Sequence, residues 1–150
     1  MKFNDTHPVL LTSGGPPPWL DKLADSATLE APVMKRPVEG KANILALLKL
    51  AIPLYEFQHF SYRGDVGPGL FLESYRAAVR GVPIETLVVV HSDAAGQVDS
   101  ILINHRPLEA ALLFSRLMSD RVGDGFGADL FLGAVQAAAL EPVAADPRAR

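Results

Sequence analysis

Three side chains in the middle of the sequence are of the types that move protons. Glu73 and Tyr75 alternate with Phe71 along Leu70–Val79, and His105 alternates with Ile101 and Ile103 along 97–105. In an extended chain, residues two apart share a face. Phe71, Glu73, Tyr75 and Ala77 therefore oppose Leu70, Leu72, Ser74 and Arg76, while Ile101, Ile103 and His105 oppose Leu102, Asn104 and Arg106. If the aromatic pair faces inward, the carboxylate is carried inward with it. Burial raises a carboxyl pKa toward neutrality, where it can exchange protons with a substrate; an imidazole can do the same, and a phenol can donate a hydrogen bond. The same residues also have a structural reading. Glu73 would then pair with Arg76, Arg80 or another cation near the rim, and His105 would cap a strand end.

Other motifs carry less. A metal built from His59, His91 and His105 lacks any ligand spacing, and no cofactor is expected. The chain has no cysteine, which removes disulfides and thiolate metal sites. His91 is out of phase with Val88 and Val90 and is expected on an outer face. Arg106 is expected to pair with Glu109 or Asp99, and Asp93 to accept backbone N–H groups in a turn. Arg63-Gly64-Asp65 spells an adhesion tripeptide by coincidence, and Gly67-Pro68-Gly69 reads as a turn rather than a phosphate loop.

The elements that must position these residues follow from periodicity. Three strands are read at Leu70–Val79, 84–92 and 97–105, joined by turns at Arg80-Gly81-Val82-Pro83 and Asp93-Ala94-Ala95-Gly96. The runs LVVV and ILI are apolar on both faces, so this sheet is expected to be covered on both sides. Upstream, Pro18 opens a predicted helix carrying Trp19, Leu20, Leu23 and Ala27, followed by a strand at 28–34 broken by Pro32. A second helix carries the stripe Ile44, Leu47, Leu48 and Ala51 and stops at Pro53. Residues 55–63 alternate as a strand, with Tyr55, Phe57 and His59 on one face. Downstream, 107–122 is a predicted helix with Leu113, Phe114, Leu117 and Met118 on its apolar face and Gly123 after its end. A further apolar helix is expected at 128–140, after the break Gly125-Phe126-Gly127.

Length and composition set bounds. The 150 residues suit one domain, and 49% hydrophobic against 21% charged residues favours extra burial in an interface or cavity. No apolar run reaches the roughly 18 residues of a spanning helix. A net charge of −3 without a basic stripe argues against nucleic acid. With an N-terminus unlike a signal peptide, the expected location is the cytoplasm, with neither membrane nor nucleic acid as partner.

A helix, a broken strand, a second helix and then a run of antiparallel strands is an α+β order. The segment WLDKLADSATLEAPVMKRPVEGKANILALL and the ending SDAAGQVDSILINHRPLEAALLF resemble the nuclear-transport-factor-2-like superfamily, in particular its SnoaL-like, polyketide cyclase-like branch. The resemblance spans roughly residues 19–120. It implies a cystatin-like cone, a curved antiparallel sheet wrapped around helices with a cavity between them. The domain reading is an arm at 1–18, the cone at 19–123, an accessory C-terminal helix at 124–140 and a disordered tail at 141–150. The resemblance turns the Phe71 and Ile101 faces into the cone. Trp19, Phe57, His59, Phe71, Thr86, Val88, Val90, Ile101 and Ile103 then become candidate ligand contacts, and Glu73, His105 and Tyr75 candidate catalytic groups. Two departures stand out. The run Gly14-Gly15-Pro16-Pro17-Pro18 leaves little room for the long first helix that closes the cone in family members. The ketosteroid isomerase general base falls on Ala31 and its oxyanion acid near Val88, and neither residue can exchange a proton. The expected function is binding of a small, mostly apolar molecule, with acid–base chemistry of a cyclase, dehydratase or hydrolase kind. The alternative is a non-catalytic binding or dimerisation module. A homodimer through the outer sheet face (Leu87, Val89, Leu102, with Leu70 and Leu72) is also expected.

Overall fold

A computed structural model of the chain describes residues 8–9, 17–127 and 129–133. It is built on a curved, seven-stranded sheet in the order β1-β4-β5-β6-β7-β2-β3. In chain order the elements are β1 (Pro8–Val9), a 3-10 turn (Leu20–Lys22), β2 (Leu23–Glu30), β3 (Val38–Glu39) and α1 (Lys41–Ala51). Then come β4 (Gln58–Gly67), β5 (Leu70–Val79), β6 (Val82–Ser92), β7 (Val98–Arg106) and α2 (Leu108–Val122). Helices α1 and α2 lie against the concave side, burying Ile44, Leu47, Leu48, Phe114, Leu117 and Met118 in one core with the sheet.

The hairpins follow from their turn residues. Val79 pairs directly with Val82, so the β5–β6 turn is the two residues Arg80 and Gly81, both at positive φ (49° and 74°). That is the backbone whose twist matches the flanking strands, and it moves the start of β6 back from Ile84 to Val82. At the β4–β5 turn, Gly69 has φ 65°, and a Cβ there would lie 2.7 Å from the Ser92 carbonyl oxygen. Glycine is required on both counts. Asp93 accepts the N–H groups of Ala95 and Gln97, each at 2.9 Å, closing the β6–β7 turn as expected.

Three sequence expectations are corrected. Residues after Pro18 form a 3-10 turn and then strand β2, not a helix. Strand β2 runs parallel to β7 with a register irregularity between Leu23 and Thr28. The irregularity lets Leu23, Ala24, Ala27 and Leu29 all turn inward, a spacing that mimics a helical stripe. The sheet is therefore mixed, with one parallel pair. Residues 129–133 do not open a helix: Phe131 forms a bridge with Met34, and the remainder of the expected 128–140 helix lies outside the described residues, as does the tail at 141–150. Arg106 pairs with Glu85 at 2.6 Å rather than with Glu109 or Asp99, because the two residues are cross-strand neighbours. Asp99 instead pairs with His91 on the exposed face. No helix among the described residues is long and apolar enough to cross a membrane.

Candidate functional site

Strand register builds the site in two rows across the inner face. One row runs Arg63, Glu73, Val88, Ile103, and the next runs Phe60, Tyr75, Thr86, His105. Both face a cavity of about 280 Å³. The opposite walls come from α1 (Leu47, Leu48, Ala51), α2 (Phe114, Met118), the segment after β2 (Ala31, Val33, Met34) and Phe131. The lining is mostly aliphatic and aromatic, with polar groups confined to the sheet side, the usual character of a small-molecule pocket.

Arg63 reaches the row through a β-bulge. Phe60 pairs with Tyr75 and Tyr62 with Ser74, so Ser61 is the extra residue and the phase of β4 changes after it. Strict alternation would have sent Arg63 outward; the bulge sets it across from Glu73. Its Nε donates to Glu73 Oε1 at 2.7 Å, and its guanidinium carbon lies 4.6 Å from the centre of the Phe60 ring. Glu73 is 3% exposed. Burial pushes its carboxyl above the ordinary carboxylate range, and the Arg63 charge and hydrogen bond pull the other way. The Trp19 indole N–H lies close enough to favour the charged carboxylate, yet it is buried without a partner in hydrogen-bond geometry.

The second polar group is an aromatic cluster around His105. Tyr55, just ahead of β4, places its hydroxyl 2.7 Å from His105 Nε2. The imidazole stacks on Phe114 at 4.6 Å, and Tyr75 meets Tyr55 edge-on at 5.8 Å. Burial lowers the His105 pKa to about 4, so the ring is neutral at pH 7. Its Nδ1 is buried without a partner. An orphaned N–H is rarer than an orphaned lone pair, which places the proton on Nε2, donated to the Tyr55 oxygen. The Tyr55 proton is then free to turn toward Tyr75 or a ligand oxygen. Burial first, and its coupling to Tyr75 second, hold Tyr55 well above the usual phenol range. Tyr75 is also raised by burial, which the nearby Tyr55 and Thr86 hydroxyls oppose. Both are hydrogen-bond donors at neutral pH.

The expected residues divide. Glu73, Tyr75, His105, Trp19, Val88 and Ile103 line the cavity. Phe71, Val90 and Ile101 share its face but sit one row further along, where Val90 and Ile101 are core and Phe71 packs partly exposed against it. Thr86 is buried behind the tyrosines rather than lining the cavity. The Phe57 and His59 rings meet at a tilt and point away from the cavity: Gln58 and Phe60 take the inward phase, and His59 approaches Arg76 on the outer face. Glu73 and His105 do not form a pair. They lie two strands and two residues apart, on the order of 12 Å between Cα atoms from sheet spacings, and each has its own partner. Sequence reading missed Tyr55, Phe60, Arg63 and Phe131. Counting back from the Pro68–Gly69 turn sets Arg63 opposite Ser74; a second irregularity between Asp65 and Gly67 shifts it onto Glu73, so simple strand counting does not find this pair of opposite charge. No three His, Asp or Glu side chains among the described residues gather in a way that could hold a metal ion.

Solved structures share this architecture. A steroid delta-isomerase from Pseudomonas aeruginosa superposes with a TM-score of 0.64 at 14% identity, over 71% of this chain and 78% of that one. An uncharacterized cystatin-like protein from Silicibacter pomeroyi gives 0.65 at 14% identity, over 71% and 75%. An NTF-2-like protein of unknown function from Burkholderia xenovorans gives 0.50 at 21% identity, over 61% and 70%. The fold is NTF2-like. The superfamily resemblance read in the sequence is thus matched at the level of fold. No protein-family model matches the chain, and no curated protein matches it in sequence. Within the NTF2-like cone, Ala31 and Val88 both line the cavity, so the positions that the resemblance assigns to the isomerase base and oxyanion acid are present as apolar wall.

Proposed function

We propose that this NTF2-like chain binds a small, mostly apolar molecule carrying one or two oxygens in the cone cavity, and that Glu73 exchanges a proton with it. The observation that carries this reading is the 3%-exposed carboxylate on the wall of a predominantly apolar cavity. A carboxylate held there without a function would be an expense in stability that an apolar residue avoids. Glu73 serves as the proton acceptor, Arg63 favours its ionised form, and Tyr75 with the Tyr55–His105 pair hydrogen-bonds the oxygen on which charge develops. The steroid isomerase shares the fold, but Ala31 and Val88 cannot act as its acid–base pair would, so the base is placed on β5 instead.

The test is proton exchange alone, which needs no knowledge of the full reaction. A cyclic ketone incubated with the protein in heavy water is expected to exchange the protons next to its carbonyl faster than in buffer, and Glu73→Gln to abolish the acceleration while leaving binding within about threefold. The bond between Glu73 and Arg63 favours a second reading, a binding module in which the ion pair only shapes the pocket. Binding without accelerated exchange would decide for that reading.

A further inference from the structure

The wall that closes the cavity away from the sheet is a partition with a cavity on each side. Val33, Met34 and His105 face the cone cavity and also a second cavity of about 350 Å³ between α2 and residues 32–35. The chain at 130–132 completes the partition: Phe131 faces the cone and Leu132 the second cavity. This strap is tied on three sides. Lys35 N donates to the Leu130 carbonyl at 2.8 Å, and Phe131 bridges Met34. Ser115 Oγ donates to the Val33 carbonyl at 2.6 Å and accepts the Leu132 N–H at 2.8 Å, clasping strap and segment to α2. Phe131 is 2% exposed, so its ring is fixed, not a side chain that swings aside for a ligand.

We infer that this partition sets the ligand's size, that Phe131 is the specificity-determining residue, and that the ligand class is a one- or two-ring molecule. The inference rests on the binding reading above. A cavity of about 150 Å³ accommodates benzene, so 280 Å³ takes a body of about eleven non-hydrogen atoms. A four-ring skeleton has roughly twice that and, seated at the depth of Glu73, runs up against the Phe131 ring. Its displacement would break the strap's bonds to Lys35 and Ser115 together, because the three contacts lie on consecutive residues.

Trp19, the chain's single tryptophan, lines the same cavity and reports occupancy through its emission. Decalone, a saturated bicyclic ketone, and androstanedione, a saturated four-ring diketone, both leave the indole spectrum clear. Titration of the wild type is expected to show saturable binding of decalone and at least tenfold weaker binding of androstanedione. Phe131→Ala is expected to shift that preference at least tenfold toward androstanedione, and Phe131→Leu, which keeps more of the strap's packing, to shift it part of the way; thermal melts identify which variants are folded. Equal affinity of the wild type for the two ketones overturns the inference, as does an unchanged preference in a folded Phe131 variant. If neither ketone binds the wild type or any variant, the binding reading falls and takes this inference with it.

Discussion

Glu73 sits where two effects oppose each other: burial favours its neutral form and Arg63 its charged form. Arg63→Met should therefore raise the Glu73 pKa further, which carboxyl carbon chemical shifts followed against pH would show; a fall would mean that Arg63 does not act on this carboxylate. A folded-state pKa raised above the unfolded value means that Glu73's contribution to stability is present at low pH and is lost as pH rises through the folded pKa. His105 works in the opposite sense. Its folded pKa of about 4 lies below the unfolded value of 6.5, so between them the unfolded chain binds the proton and the folded one does not. The stability present above pH 6.5 is lost as pH falls through about 4, and the gap is worth roughly 3 kcal/mol at most. In His105→Phe, urea unfolding at pH 7 and pH 4.5 should show a smaller loss between the two pH values than in the wild type. An equal loss in both proteins would mean that His105 is not the group being protonated.

At the scale of elements, the strap at 130–132 closes the cavity from within the segment where the sequence predicts an apolar helix at 128–140. It does so through backbone pairing with residues 34 and 35 rather than through a helical stripe. Burial of Leu130 and Phe131 at 1% and 2% exposure stabilises the fold by roughly 1.5–3 kcal/mol each. Truncation after Gly127 should then lower the melting temperature by roughly ten degrees, taking a shift of about 2–4 °C per kcal/mol for a chain of this size; an unchanged melt would show the strap to be dispensable. Ser115→Ala removes both ends of the clasp and should destabilise by about 1–3 kcal/mol. Which elements were legible in the sequence follows from where periodicity was clean. Strands β5, β6 and β7, both helices and their turns could be read because Leu70–Val79 alternates, Ile44, Leu47 and Leu48 recur at helical spacing, and glycines mark the bends. Glu73, Tyr75 and His105 were found because their strands were. Strand β2 was lost because its irregularity makes buried positions recur every third or fourth residue. Arg63 was lost because one bulged residue, Ser61, reverses the phase of β4. Phe131 was lost because nothing local marks a segment whose conformation is set by residues a hundred positions away.

At the scale of the whole molecule, the outer sheet face is the remaining question. Leu72, Val89 and Leu102 form one row across β5, β6 and β7, with Leu87 in the next row beside Ser74 and Asn104. Leu102 is 37% exposed and Tyr62, on the same side of β4, is 42% exposed. The inner face of these strands is already occupied by the cavity and core, and among the described residues both helices, α1 and α2, lie on that inner side. Around this centre lie the charged groups Arg76, Glu85 and Arg106 at one end of the strands and Asp99, hydrogen-bonded to His91, at the other. An apolar centre with a rim carrying both signs of charge fits a surface that pairs with a copy of itself about a two-fold axis, each basic end meeting the partner's acidic groups. We expect a homodimer through this face. Light scattering at micromolar concentration should give the mass of two chains, and Val89→Glu, which sets a charge in the middle of the row, should shift the mass to one chain without changing the far-ultraviolet circular dichroism. Because Val89 points away from the cavity, ketone binding followed through Trp19 should survive the substitution. A single-chain mass for the wild type would rule the dimer out, and a two-chain mass for Val89→Glu would place the interface elsewhere.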